Sequence, residues 1–307
     1  MKKAASLLLC LLFFTSAVNA QEIKLFGISD SDKKTVFISL SDIYLVSEHE
    51  DSLAIPEDKR DSEHFILGPE YRKRFLAKTK IDETDKVFLY DYAKNKLVSL
   101  SVKNLEAVAN LSPYEIGGEI PHSQYDYCIG FKIDKKLAKD FGDFSNEILV
   151  YIGKENPFAE KQLTAIVWKK ISSKEFPLKK IKDEFVALQQ KYTIGDSYSY
   201  KHENLEYFIQ DFLRDKSIFA IRLLVVDSKT KAIIYEELFS EGESDSLAPL
   251  NFMNKEESNN ISQWTGKLFK NKETVIFGFE YHSFGCPYIT VLSKKPTLIE
   301  IYCDNRH

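Results

Sequence analysis

The richest chemistry in this chain lies between His282 and the C-terminal His307. His282 and Cys286 are four positions apart, and so are Cys303 and His307. Two imidazoles and two thiols are a zinc set, because zinc accepts two thiolates and two imidazoles in a tetrahedron. On an extended strand, residues four apart are separated by roughly 13 Å. His282, Cys286, Cys303 and His307 would therefore need a tight bend at Ser283-Phe284-Gly285 and a curled tail to share one ion. A disulfide asks for less. The interval from Cys286 to Cys303 holds a strand, a turn around Lys294-Lys295-Pro296 and the return, and in an oxidising compartment the expected pairing is Cys286 with Cys303. A catalytic reading of the same region takes His282, Asp304, Arg306 and His307 as a base, an orienting carboxylate and an anion clamp.

Elsewhere the candidates are sparser. Glu115 to His122 (EIGGEIPH) is a bent loop, and His122 and Tyr125 beside it are candidates for the rim of a ligand groove. Glu241, Glu243 and Asp245 alternate as calcium ligands do, but without EF-hand spacing or a closing Glu. Asp30-Ser31-Asp32 and Glu48-His49-Glu50-Asp51 read as solvated charged turns. Cys128 sits in an apolar run and reads as a buried thiol. Gly-x-Ser-x-Gly, a Gly-rich phosphate loop, His-Glu-x-x-His and Cys-x-x-Cys do not occur. Ser-x-x-Lys occurs at Ser31 and at Ser228, in turn-like segments rather than at a helix start. No cofactor is implied.

The elements that would hold these residues are mostly strands. Thr35 to Val46 reads as one long strand. Lys86 to Val102 reads as a hairpin turning at Ala93-Lys94-Asn95-Lys96, and Ile218 to Phe239 as a second one turning at Asp227 to Lys231. Further strands are expected at 125–133, 147–153, 163–171, 274–281, 287–293 and 297–303. Helices are expected at 104–111, after the cap Asp134 through Phe141, from Pro177 toward Gly195, after Asn204 through Leu213, and from about Glu257 to Phe269. Trp168 and Trp264 are expected in the core. The resulting class is α+β, mostly antiparallel sheets with interspersed short amphipathic helices. A boundary near residues 172–176 divides an N-terminal unit, 21–172, from a C-terminal one, 173–307.

The N-terminus speaks to location. Lys2 and Lys3 precede an apolar run from Leu7 to Phe14, and Val18-Asn19-Ala20 suits a signal peptidase, so 1–20 reads as an export signal. Removing it makes the formal charge of −4 more negative by two lysines. Beyond it no apolar run reaches the ~18 residues a membrane helix requires. The mildly acidic balance, with six Arg among 42 basic residues, excludes a generic nucleic-acid binder. The expectation is an exported periplasmic or secreted protein. Its partner would be a protein or envelope component, as for an inhibitor, an immunity-type protein or an adaptor. The alternative is an exported hydrolase with its site at His282 and the 304–307 tail.

Overall fold

The computed structural model describes residues 23–31, 34–44, 57–139, 141, 147–177, 180, 191–252, 261–283 and 285–304. The segment read as an export signal lies outside them. So do His49, Arg306, His307, the Asp32 position and most of the helix expected after Pro177.

Strands dominate. From β1 (Leu25–Phe26) the chain passes through β2 (Ser29–Asp30), β3 (Thr35–Ser39) and β4 (His64–Ile66) to helix α1 (Pro69–Thr79). The hairpin β5 (Lys86–Asp91) and β6 (Lys96–Ser101) precedes β7 (Glu106–Leu111), β8 (Tyr127–Asp134) and β9 (Ile148–Gly153). Short β10 (Leu163–Ala165) and β11 (Lys169–Ile171) lead into a meander of long strands: β12 (Thr193–His202), β13 (Leu205–Arg214), β14 (Ser217–Asp227) and β15 (Ile233–Ser240). The chain finishes through β16 (Asp245–Leu247), β17 (Trp264–Gly266), β18 (Val275–Phe277), β19 (Glu280–His282), β20 (Tyr288–Val291) and β21 (Thr297–Tyr302).

Among the described residues there is one α-helix, so the class is mostly β rather than α+β with helices between the sheets. Two of the expected helices are strands, for the same reason. Leu205 to Leu213 is β13, the central strand of its sheet, with Tyr207 and Ile209 buried on one face and Phe208 packed on the other. Such a strand is a near-continuous apolar run, and any such run contains a helical subset at three- and four-residue spacing. Asn204 is no cap; its carbonyl accepts from the Ser228 N–H at 2.7 Å across the hairpin ends. Residues 106–111 form β7 in the same way, with Ala107, Ala109 and Leu111 facing one core and Val108 another. Of the third helix, the described part from 261 onward is extended and includes β17. The cap at Asp134 is present. Its side chain accepts from Lys136 N at 2.8 Å, over a short 3-10 turn at Lys135–Ala138.

Helix α1 was not anticipated. Pro69 occupies its first turn, and Lys80, at φ 59°, ends it in the left-handed conformation with its N–H on the Leu76 carbonyl. It buries only Tyr71, Phe75 and Leu76, too few apolar positions for a clear period.

Three main sheets stack around separate cores. The largest has nine strands in the order β10-β17-β18-β20-β21-β1-β9-β5-β6, so strands from both sides of residue 172 share it. Its β1, β5 and β9 region packs through Phe26, Val87, Leu89 and Val150 against the five-stranded sheet β2-β3-β8-β7-β4 and α1. The opposite face rolls inward. Phe88, Tyr90 and Leu149 meet Phe158, Phe269, Val275 and Val291, while Tyr92 lies edge-on to Trp264 and Phe277. The meander β11-β12-β13-β14-β15 covers the other half through Tyr207, Ile209, Leu223 and Val225, with Trp168, Ile276 and Phe279. Each fully buried side chain of this size contributes about 1.5–3 kcal/mol. Both tryptophans are core residues, as expected.

The long hairpins owe their register to their turns. Asp215 and Lys216 both take positive φ between Arg214 and Ser217, the two-residue turn whose twist matches paired strands. Asn95 at φ 52° makes the β5–β6 turn, and its side chain accepts from Lys161 N at 2.6 Å, joining the two ends of the rolled sheet.

Cys286 and Cys303 stand at disulfide distance, their Cα atoms 5.5 Å apart, just before β20 and just after β21. Closing a loop of this length contributes about 3 kcal/mol in the chain-entropy model. Reduction, or the double substitution C286S/C303S, should therefore lower the unfolding free energy of the purified chain by about that amount. Urea denaturation with and without reductant reads it; coincident curves would mean that the pair is open.

Candidate functional site

The short sheet β16–β19 places His282 directly opposite Asp245. Residues so paired have neighbouring side chains, and His282 Nδ1 lies 2.6 Å from Asp245 Oδ1. The imidazole is largely enclosed, with 14% of its side chain exposed against 38% for Asp245. Its ring lies 5.8 Å from that of Tyr288 on β20. Two positions before His282, Glu280 is half-buried. Burial raises its carboxyl above the ordinary range, Asp245 adds to the rise, and His282 opposes it. Tyr235 and Glu237 of β15 complete the surroundings. Burial raises both Tyr235, to about 12, and Tyr288, with Glu280 and Glu237 adding to the rise in Tyr288. The arrangement holds an imidazole with one nitrogen fixed by a carboxylate, the geometry of an oriented base.

The terminal tail goes elsewhere. Asp304, at φ 58°, donates its N–H to Asp42 Oδ2 at 2.8 Å and accepts from Ser39 Oγ at 3.1 Å. It is thus tied to the end of β3, while His282 takes Asp245 as its carboxylate. Arg306 and His307 lie outside the described residues. A bonded Cys286–Cys303 pair has no thiolate to offer zinc. Beside that pair, Asp42, Glu300 and Tyr302 line an open recess of about 350 Å³. Among the described residues no three His, Cys, Asp or Glu side chains are grouped to hold a metal. Of the calcium candidates, Asp245 serves His282, and Glu241 Oε1 accepts from Leu247 N at 3.1 Å. Cys128 is buried against Phe37 and Val108.

The loop from 112 to 126 divides its two candidates. His122 is buried, its N–H on the Arg60 carbonyl at 2.9 Å and its ring edge-on to Tyr127. Tyr125 is half exposed. The loop is pinned along its length. Ser112 N–H donates to the Asp126 carbonyl, Ser123 N–H donates to Asp126 Oδ2, and the Ser123 hydroxyl accepts in return. Tyr127 OH donates to the Ser62 carbonyl at 2.8 Å. From this frame Tyr114, Ile116, Ile120 and Tyr125 project with 69, 61, 65 and 50% of their surface exposed. Sequence reasoning missed the first three. The available signal was a set of large apolar residues with no period, interrupted by Gly117-Gly118 and Pro121.

A buried acid was also missed. Asp211 of β13 is 3% exposed, and its Oδ1 has no hydrogen-bond partner among the described residues. It faces the bulge around Gly195, where a Cβ at residue 195 would lie 3.0 Å from its own Cβ. Burial, reinforced by Asp196, pushes its carboxyl up to about 7, while Lys170 and Tyr198 oppose the rise. Lys170 itself pairs with Asp196 at 2.6 Å.

No protein-family model, curated protein or solved structure matches this chain.

The Asp211 environment fixes the sign of a pH effect. The fold retains a proton that the unfolded chain gives up near its ordinary value of 3.8, so stability is lost as pH rises from about 4 through 7. Asp211→Asn should gain on the parent across that interval and hold a constant advantage above it. Urea unfolding of both proteins from pH 4 to 8 reads the gap; a gap independent of pH would contradict the assignment.

Proposed function

We propose that this is an exported binding protein that engages a protein or envelope component through the 112–126 loop. The observation that carries the reading is the pinned loop presenting Tyr114, Ile116, Ile120 and Tyr125 to solvent. Four large apolar side chains exposed within one short loop are unfavourable for an isolated chain and suit an interaction site. A loop already held in shape loses little entropy on binding, and aromatic anchors such as tyrosine carry much of the energy of an interface. Export is supported by the 1–20 pattern and is compatible with the cysteine pair at disulfide distance. A photo-crosslinking residue at Tyr114 or Ile116 should give discrete adducts in the producing cell. The same residue at Ile233, an apolar position 50% exposed on β15 of another sheet, should not. Equal labelling from both places, or none, would count against the loop.

The second reading is an exported hydrolase, favoured by the 2.6 Å contact of His282 with Asp245. The base would act on water, since among the described residues no hydroxyl or thiol bonds the imidazole. His282→Ala should then abolish hydrolysis of any substrate found on a broad ester, amide and glycoside panel. Activity surviving in that variant would remove the site from consideration.

A further inference from the structure

The open recess beside the cysteine pair brings together a sulfur from Cys286, carboxylates from Asp42 and Glu300, and the aromatic ring of Tyr302. Among the described residues no lysine or arginine lines it. The strands fix this grouping. Glu300 and Tyr302 are two apart on β21 and so share a face. Extending the β20–β21 register, in which Tyr288 lies opposite Glu300, puts Cys286 opposite Tyr302. Asp42 is held from the other side, its Oδ2 accepting from Asp304 N–H at 2.8 Å. Cys303 N–H points at Cys286 Sγ, 3.1 Å away. Cys303 itself is exposed, and a Cβ built at Gly285 would meet no atom within 4 Å, so there is open space beside the pair.

We infer that this recess is a thiol-exchange site for a small cationic thiol, which enters beside Asp42 and Glu300 and forms a mixed disulfide with Cys286. Access decides which sulfur of a disulfide is attacked, and here it is the Cys286 sulfur that lines the recess. The thiolate of the incoming molecule attacks Cys286 Sγ. The bond to Cys303 breaks, and its electron pair leaves with Cys303 Sγ, which takes a proton from water. The incoming thiolate supplies the electron pair of the new bond, so no further oxidant or reductant is needed. The leaving sulfur belongs to an exposed residue, where a thiolate is solvated, and as a thiol it has the Gly285 carbonyl 3.7 Å away. The carboxylates select the ligand. Two negative charges beside the attacked sulfur repel an anionic thiol and attract an ammonium group, and a tyrosine ring accepts a cation over its face.

Rates of mixed-disulfide formation with cysteamine and with mercaptopropionate test this, each measured by acid-quenched mass spectrometry on the folded chain and on the chain unfolded in urea. The ratio between the two states removes the intrinsic reactivity of each thiol. Folding should favour cysteamine over mercaptopropionate by about tenfold or more, with the adduct mapping to Cys286. That preference should shrink as salt rises from about 0.01 to 0.5 M. Asp42→Asn with Glu300→Gln, neutral replacements of nearly the same shape, should remove most of it. The salt series uses the unaltered chain, so a folding defect in the variant does not decide the result. Equal effects of folding on the two thiols, a preference insensitive to salt, an adduct mainly on Cys303, or a pair found open before any thiol is added would overturn the inference.

Discussion

The fold depends on a two-residue strand. Leu25 and Phe26 pair in parallel with Ile301 and Tyr302 on one side and antiparallel with Tyr151 and Val150 on the other. This is the only parallel pairing among the described residues, and it joins β9-β5-β6 to β21-β20-β18-β17-β10 as one sheet. So short a strand holds because each side chain is anchored in a different core. Leu25 is fully buried on the rolled face, and Phe26 enters the N-terminal core, its ring 5.6 Å from that of Tyr302. The next residue completes the seam. Gly27 N–H bonds the Tyr302 carbonyl at 2.6 Å, and a Cβ there would come within 3.3 Å of that oxygen. The cysteine pair at disulfide distance and the hydrogen bonds of Asp304 with Asp42 and Ser39 lie at the same corner.

The candidate sites lie off this frame. His282 and Asp245 occupy a two-stranded ribbon outside the three large sheets, and loop 112–126 lies beyond the ends of β7 and β8. The deep polar groups serve packing instead. Arg222, with no exposed surface, donates from Nε and Nη2 to Glu236 Oε1 at 2.8 and 2.6 Å, and from Nη2 to the Lys180 carbonyl. Removing one partner of such a pair strands a buried charge at a cost of about 3–5 kcal/mol. That makes it a structural tie between β14, β15 and residue 180.

Local sequence carried what local physics decides. The two hairpins were legible because strand-forming residues flank polar turns, and Asn95 and Lys231 adopt the positive φ those turns need. The Cys286–Cys303 pairing followed from spacing that fits a strand and its return. Strands β7 and β13 were misread because burial on both faces erases the two-residue period that distinguishes a strand. Helix α1 was missed because Lys80 ends it where a glycine would have marked the stop. At the site, His282 stood out, but its carboxylate is 37 positions away on another strand. The choice of Asp245 over Asp304 is a matter of register between distant segments. His122 and Tyr125 were chosen together, yet three residues along a bent loop put one inside and the other outside.

The parallel seam also governs how the molecule bears tension. β1 enters the sheet near one end of the chain and β21 leaves it near the other, so a pull between residues 24 and 304 acts at opposite ends of the same pair. The bonds between the two strands are then loaded together in shear, instead of parting one at a time as in an unzipping hairpin. With Cys303 and Cys286 bonded, part of the load would pass to the start of β20. A pull applied between residues 24 and 304 would therefore load this seam before the hairpins.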